Sequence, residues 1–308
     1  MDRNRRLLHH RRLNRRLSSN RVLFRSLTLD DYRVEIVQDT EFRLDGGAMF
    51  GVVPRKLWAR ECPPDDDNRI RMNMNCVFID TGVEKILIET GIGEKWTGKQ
   101  QSMYGIDRVR PLSETLKTCT GFGADDITIV VNTHLHFDHA GGNTKLDAEG
   151  KPVASFPNAR YFVSRAELEH ADHPTERDRA SYLPENWRPL VESGQLEAKD
   201  SNYEVVPGLT METIAGHNRS MQCWRLERDG KTIFGFADLV PTRAHVRLPW
   251  IMGYDLYPVD TLDAKKRLLP QAAHENWICL FYHDPDEPLC RLQQGEKEFN
   301  PIPYRGDD

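Results

Sequence analysis

A dense cluster of metal-binding side chains lies near the middle of the chain. The segment His-Leu-His-Phe-Asp-His starts at His134 and follows the apolar run Ile-Thr-Ile-Val-Val by two residues. In an extended segment, residues two apart point the same way, so His134 and His136 can bind one ion. Asp138 and His139 follow the turn and point elsewhere, which suits a second ion. Such ligands favour zinc or another first-row divalent metal, and a pair of these ions usually makes hydroxide at neutral pH.

Three more candidate ligands occur farther along the chain, each directly after a largely apolar segment. His217 follows Thr-Ile-Ala-Gly, Asp238 follows Ile-Phe-Gly-Phe-Ala, and His283 follows Ile-Cys-Leu-Phe-Tyr. These segments predict strands that end in loops. Because an α/β scaffold presents functional groups where strands give way to loops, we expect these three side chains to join the central cluster.

The ordered set of clustered and downstream ligands resembles that of the metallo-β-lactamase-fold hydrolases. The resemblance covers roughly residue 29 to the C terminus. It implies an α/β fold, a four-layer αββα sandwich of two mixed sheets packed face to face, with the metals at one edge. It also implies two metal sites that are bridged by Asp238 together with a water or hydroxide. The other ligands divide into two sets, namely His134, His136 and His217, and Asp138, His139 and His283.

A predicted strand pair precedes the metal motif. Residues 76–80 and Lys85–Ile88 have strand composition and are separated by a turn signal that includes Thr-Gly. Glu89-Thr-Gly follows the second strand. Members of the resembled family usually have Asp-Thr-Gly there, and the aspartate orients a metal-site histidine. We therefore expect Glu89 to take this orienting role across one additional methylene.

Charge is unevenly distributed along the chain. Residues 1–28 carry a net charge of +8 and the remaining 280 carry −13, which together give the formal −5. An acidic body argues against a nucleic-acid partner, since such affinity depends on neutralising phosphates. The basic leader, residues 1–28, lacks the apolar core of a secretory signal, and we expect it to be disordered. A targeting leader, a basic arm and a mis-assigned start codon remain open.

One domain and a reducing compartment are predicted for the rest of the chain. Because the candidate ligands must converge on one site, we expect residues 29–308 to form a single domain. No apolar run approaches the roughly 18 residues that span a bilayer, so no membrane partner is expected. The six cysteines include no Cys-X-X-Cys pair, which favours free thiols and a cytoplasmic location. A symmetric homodimer is the default expectation.

The loop that begins at Asp45-Gly-Gly and continues to Gly51 looks most like the lactonase-like subset of the resembled family, whose members are associated with acyl-homoserine lactones. A small-molecule substrate of this kind needs an apolar pocket. The residues that we expect to line it are Phe50, Phe137, Trp250, Met252 and Tyr254.

One departure from the lactonase-like subset concerns a tyrosine. Many of those members have a tyrosine three residues after the bridging aspartate, where it helps to hold the substrate carbonyl. Here Pro241 occupies the place that corresponds to that tyrosine, three residues after Asp238. Tyr254, Tyr257 and Tyr282 are the candidates to replace it.

The sequence therefore favours a dinuclear metal-dependent hydrolase with two divalent ions, zinc first, with manganese, iron or cobalt as alternatives. A metal-bridging hydroxide would open a lactone or cleave a related ester. Asp138 and Asp238 are the expected catalytic residues, and Asp138 could carry a proton to the leaving group. A phosphotriesterase or a glyoxalase-like thioesterase is the alternative. A di-iron redox enzyme is more remote, because such members usually have glutamate in place of His136 and a fused flavin module.

Overall fold

The computed structural model describes residues 26–306. The predicted basic leader lies outside the described residues except for its last three, which belong to strand β1 (Ser26–Leu29). Leu27 and Leu29 are buried, and β1 pairs with the next strand. The domain boundary predicted at residue 29 therefore falls at the last residue of a strand of the first sheet.

The first sheet has seven strands. Its members, in spatial order and numbered along the chain, are β1 (Ser26–Leu29), β2 (Tyr32–Asp45), β3 (Arg69–Asp80), β4 (Lys85–Ile88), β5 (Ile129–Val131), β8 (Arg160–Ser164) and β9 (Leu196–Lys199). Strands β1 to β4 are antiparallel neighbours, whereas β4, β5, β8 and β9 run parallel. Residues 86–88 of β4 and all of β5 are buried and apolar, as parallel strands covered on both faces require.

The second sheet also has seven strands. They are β10 (Asn202–Val206), β11 (Leu209–Thr213), β12 (Gln222–Arg228), β13 (Lys231–Gly235), β14 (Ile278–Leu280), β15 (Leu289–Gln294) and β16 (Phe299–Pro303). Only β13 and β14 are parallel neighbours. A separate two-stranded sheet contains β6 (Thr144–Leu146) and β7 (Pro152–Ala154).

Within residues 26–306, the structure has short helices and one long helix. They are α1 (Gly46–Phe50), α2 (Arg55–Glu61), α3 (Gly98–Met103), α4 (Leu112–Thr120), α5 (Phe137–Ala140), α6 (Arg165–Asp172), α7 (Arg188–Glu192) and α8 (Pro258–His274). Most of the predicted lactonase-like loop is helix α1, because the Asp45 side chain accepts a hydrogen bond from the amide of Ala48 and caps it. No helix in the described part is long and apolar enough to cross a membrane.

The two large sheets share one core. Buried side chains of the first sheet, such as Phe78, belong to the same apolar cluster as Trp224 and Phe234 of the second. Helix α4 packs on β2, and α8 packs on β15. This arrangement confirms the predicted αββα sandwich. The six cysteines are unpaired, and four of them are buried.

Candidate metal centre

The candidate ligands follow the carboxyl ends of strands, and all but His217 follow strands that have a parallel neighbour. His134 and His136 follow β5, and Asp138 and His139 lie on α5, which comes directly after them in the chain. The second sheet supplies the others: His217 after β11, Asp238 after β13, and His283 after β14. Since β4 and β5 are parallel in one sheet, and β13 and β14 in the other, their carboxyl ends meet at one edge of the sandwich.

Asp238 lies between two sets of histidines. Its Oδ2 is 3.4 Å from Nε2 of His217 and 3.9 Å from Nε2 of His134. Its Oδ1 is 3.1 Å from Nε2 of His139 and 3.0 Å from Nε2 of His283. Each carboxylate oxygen therefore faces a different set, which is the geometry that a bridging carboxylate requires.

The same division is seen in the groups of side chains that could hold an ion. His134, His136, His217 and Asp238 place one ligand atom each within 4.8 Å of one another. Asp138, His139 and His283 form another such group, in which the Asp138 Oδ2 is 3.6 Å from Nε2 of His283. A third group overlaps both, because Glu89 lies close to His134 and His139.

The chemistry of these buried side chains fits a metal ion. Nε2 of His134, Nε2 of His136 and Nδ1 of His139 are buried without a hydrogen-bond partner. Nε2 of His217 and Nδ1 of His136 are 3.1 Å apart. Several imidazole nitrogens that converge inside a protein are costly unless they share a partner, and a divalent cation supplies one.

The electrostatics of His134, His136 and Asp238 agree with this fit. Burial lowers the pKa of His134 and of His136 well below the ordinary value, and neighbouring histidines lower it further. These two imidazoles are therefore neutral, the form that binds metal. Burial alone would raise the pKa of Asp238, but the surrounding histidines, His139 first, hold it well below its ordinary range.

Several ligands are oriented by hydrogen bonds to their other ring nitrogen. Nδ1 of His217 is 3.0 Å from Oδ1 of Asp255, and the Thr261 hydroxyl donates to the other oxygen of that carboxylate over 2.7 Å. Nδ1 of His283 is 3.0 Å from the carbonyl oxygen of Asn73. Such contacts fix the ring orientation and the tautomer of a metal ligand.

Removing the Asp255 carboxylate is expected to weaken metal binding by about 10–100-fold, the usual cost of losing a partner that orients a ligand. In Asp255→Ala, His217 loses the acceptor for its Nδ1–H. Competition with a chromophoric chelator measures the change. Asp260→Ala is the matched control, because this carboxylate is exposed on the first turn of α8. Equal affinity in the two variants would contradict the orienting role.

Glu89 lies where the sequence places it, beside the centre. It is fully buried, and its Oε1 accepts a hydrogen bond from the Thr133 amide over 2.9 Å. The same oxygen is 3.5 Å from Nδ1 of His139. Glu89 has a φ of 64° and Ala237, which precedes Asp238, has a φ of 47°. Two non-glycine residues in the left-handed region beside the ligands indicate local backbone strain.

A cavity of about 380 Å³ opens onto the ligands. Of the five predicted pocket residues, Phe137, Met252 and Tyr254 line it. Phe50 and Trp250 do not: the Phe50 ring is fully buried, stacks on Trp58 and meets the Trp250 ring edge to face. The complete lining is Leu44, Ala48, Met49, Met72, Tyr104, His136, Phe137, Asp138, Arg177, Asp178, Ala180, Ser181, His217, Asp238, Met252, Gly253, Tyr254 and His283.

The sequence patterns did not single out several cavity residues. Tyr104 lies at the end of α3, and its ring contacts Phe137 at 5.1 Å between centroids. Arg177 and Asp178 come from the segment between α6 and α7, and the Arg177 guanidinium donates to the carbonyl oxygen of Gly253. A charged segment of this kind gives no periodic signal, so the sequence does not indicate which of its residues reach the site.

Comparison with known proteins supports the metal centre that the geometry indicates. The family model described as the metallo-beta-lactamase superfamily matches residues 71–283, more than half of the chain. The chain belongs to the metallo-beta-lactamase superfamily. As a member of this superfamily with an assembled cluster of histidines and aspartates, it is a metal-dependent hydrolase.

Among its relatives in the superfamily is an N-acyl homoserine lactonase from Bacillus thuringiensis. The two are 27% identical over 234 residues, which cover 70% of this chain and 84% of that protein. A second relative, an N-acyl homoserine lactonase from Bacillus cereus, is 26% identical over 246 residues, 73% of this chain and 87% of that protein.

Solved structures of superfamily members have the same fold. A probable metal-dependent hydrolase from Staphylococcus aureus superposes with a TM-score of 0.82 at 29% identity, covering 92% of this chain and 100% of that one. AidC, a dizinc quorum-quenching lactonase in complex with a product, superposes with a TM-score of 0.73 at 21% identity, covering 92% and 98%. At that lower identity the likeness concerns the fold alone.

Proposed function

We propose that this hydrolase holds two divalent ions and opens lactones or cleaves related esters. The observation that carries the proposal is the position of Asp238, with one oxygen toward His134 and His217 and the other toward His139 and His283. In the proposed site, His134, His136 and His217 hold one ion and Asp138, His139 and His283 the other, with Asp238 between them.

Two divalent ions, when bound, supply Lewis acidity and lower the pKa of a shared water enough to make hydroxide available at neutral pH. Asp138 is the residue that we assign to proton transfer. Its carboxylate lines the cavity, and its Oδ2 is 3.6 Å from His283 and 3.9 Å from His139. It would take a proton from the attacking water and give it to the ring oxygen as the ester bond breaks. Water is consumed, and the product is a hydroxy acid.

The cavity supports a small, largely apolar ester as substrate. Leu44, Met49, Met72, Phe137 and Met252 line it on the apolar side. Apolar walls with a few placed polar groups are typical of small-molecule sites. The curated relatives that the chain matches over most of their length are named N-acyl homoserine lactonases, which favours a lactone within this class.

Tyr254 is the tyrosine that we propose for orienting the substrate carbonyl. It lines the cavity, whereas Tyr282 is fully buried and bonded to the Trp224 indole, and Tyr257 lies under the Arg219 guanidinium. Burial, together with nearby carboxylates including Asp45, raises the pKa of Tyr254 to about 12, so its hydroxyl remains a proton donor at neutral pH.

We propose zinc as the metal, because imidazole with carboxylate suits it, and manganese, iron or cobalt would also bind such ligands. A cytoplasmic location agrees with the six unpaired thiols. Elemental analysis of protein purified without chelator identifies the bound metal.

One experiment tests the proposed function. The metal content per chain is measured on the purified protein, and the same sample is then assayed with a long-chain acyl lactone, a thioester and an aryl phosphotriester. We expect about two ions per chain, as in two-metal hydrolases, and the highest kcat/KM on the lactone.

The other outcomes point to different conclusions. About two ions with turnover of the phosphotriester or the thioester alone would replace the lactone by that substrate. Less than one ion per chain, unchanged by added zinc or manganese and without turnover, would overturn the proposed centre itself.

A further inference from the structure

Glu167 is a fully buried carboxylate that the proposed chemistry does not use. It is the third residue of α6, and four groups donate hydrogen bonds to it. Its Oε1 accepts from the Leu135 amide at 2.8 Å and from the Tyr182 hydroxyl at 3.0 Å. Its Oε2 accepts from Nδ2 of Asn218 at 3.0 Å and from the Ser220 hydroxyl at 2.5 Å. A buried carboxylate with this many donors is held in one orientation.

The local sequence predicts a different role for this side chain. Ser164-Arg-Ala-Glu167 is the capping-box pattern, in which the glutamate returns to the backbone amide of the capping serine. Ser164 does cap α6, by accepting from the Glu167 amide at 3.1 Å. The Glu167 carboxylate instead points away from the cap, toward the metal centre. Its place in the structure is therefore not explained by helix capping.

Both ends of this network are chain segments that carry metal ligands. Leu135 lies between His134 and His136, so the hydrogen bond of its amide helps to fix the segment from which both imidazoles project. Asn218 directly follows His217, and its Oδ1 also accepts from the amide of Ser220 at 2.9 Å. Glu167 thus joins the two segments that hold one ligand set.

The ligands of the other set rely on different partners. His283 is oriented by the Asn73 carbonyl, and His139 lies beside Glu89. Asp138 and His139 are on α5, whose residues make no hydrogen bond to Glu167 among the described contacts. The hydrogen bonds of Glu167 therefore support the ligands of one proposed ion and not those of the other.

We propose that Glu167 is a positioning residue for one of the two metal sites, the one formed by His134, His136 and His217. This inference rests on the proposed dinuclear centre. It adds that one of the two metal sites depends on Glu167 and the other does not. Glu167 touches no ligand atom, and it acts by fixing the spacing between the segment after β5, which carries two imidazoles, and the loop that carries the third.

The test is Glu167→Gln, which keeps the size of the side chain. Either orientation of the new amide places its NH₂ against donors, the Leu135 amide and Tyr182 hydroxyl on one side or Asn218 on the other. Protein loaded with Co²⁺ is equilibrated against graded chelator, the ions retained per chain are counted, and the visible absorption of Co²⁺ is recorded. We expect one ion to be lost at about 10–100-fold lower chelator strength while the other is retained as in the unmodified protein.

Glu35→Gln is the matched control. Glu35 is also a buried glutamate, 7% exposed, and its Oε1 accepts from Ser26 and Arg33, away from the centre. We expect this variant to release both ions as the unmodified protein does. If Glu167→Gln does not fold, Ser220→Ala and Tyr182→Phe each remove one donor to the carboxylate. We expect each to weaken the same single ion, by a smaller factor.

The failure of this inference is distinguishable from failure of the proposed function. An unmodified protein that binds no second ion would overturn the dinuclear centre. An unmodified protein that binds two ions, with Glu167→Gln weakening both equally or neither, would overturn the positioning role alone. Equal weakening with a lower melting temperature would mean that Glu167 acts only on general stability.

Discussion

Asp238→Ala is expected to lower kcat/KM by about 1,000-fold or more and to reduce the number of bound ions per chain. Loss of one group that stabilises a transition state already costs about 100–1,000-fold, and this carboxylate faces both ligand sets. Without it, four imidazoles lose the negative charge between them. Steady-state kinetics on the lactone and elemental analysis of the same preparation measure the two effects.

Asp39→Ala separates this effect from a general loss of stability. Asp39 and Asp238 are equally buried, at 6% exposure. Asp39 instead pairs with the Arg108 guanidinium at 2.6 Å and accepts from the Ile92 amide. Breaking a buried ion pair costs about 3–5 kcal/mol, so the melting temperature of Asp39→Ala should fall while this variant keeps its metal content. Full metal content and full turnover in Asp238→Ala would contradict the bridging role.

Removal of the metal ions is expected to lower the free energy of unfolding by about 4 kcal/mol per site, the linkage expected when free metal exceeds the dissociation constant about 1,000-fold. For a domain of this size, both sites together correspond to a fall in melting temperature of roughly 10–20 °C. The physical reason is that buried imidazoles and carboxylates lose their shared partner, and both sheets contribute to the centre. Thermal unfolding before and after chelation measures the change.

Two controls make the metal-removal experiment specific. Zinc added back after chelation should restore both turnover and the melting temperature, whereas calcium, which prefers sites made of oxygen ligands, should not. Chelator should also change the melting temperature of Asp238→Ala much less than that of the unmodified protein. Complete metal loss with an unchanged melting temperature would show that the centre contributes nothing to folding.

Strand ends were the informative part of the sequence. The positions of His134, Asp238 and His283 after apolar segments place them at the carboxyl ends of β5, β13 and β14, where they converge as expected. Periodicity and turn signals identify such ends because the apolar residues and the polar residues that follow them are close in sequence. The αββα architecture was predicted from the family resemblance, which rests on the order and spacing of these ligands.

Residues that support the ligands were not predictable in this way. Asp255 reaches His217 across 38 positions of sequence, and Glu167 reaches Asn218 across 51. No local pattern records contacts between residues so far apart, and the capping-box motif at Ser164 gives Glu167 an ordinary alternative explanation. Phe50 shows the opposite error, because an aromatic residue in a loop-like sequence was assigned to the pocket but is completely buried in the core.

The division of the ligands between the two sheets has a consequence for biosynthesis. The cluster at residues 134–139 can be presented as soon as the first sheet is formed, but His283 is near the end of the chain. During translation, which proceeds at about 5–20 residues per second, the centre therefore stays incomplete until β14 has left the ribosome. Occupation of the proposed site that contains His283 would thus be a late event, and it would require that the two halves of the sandwich have docked.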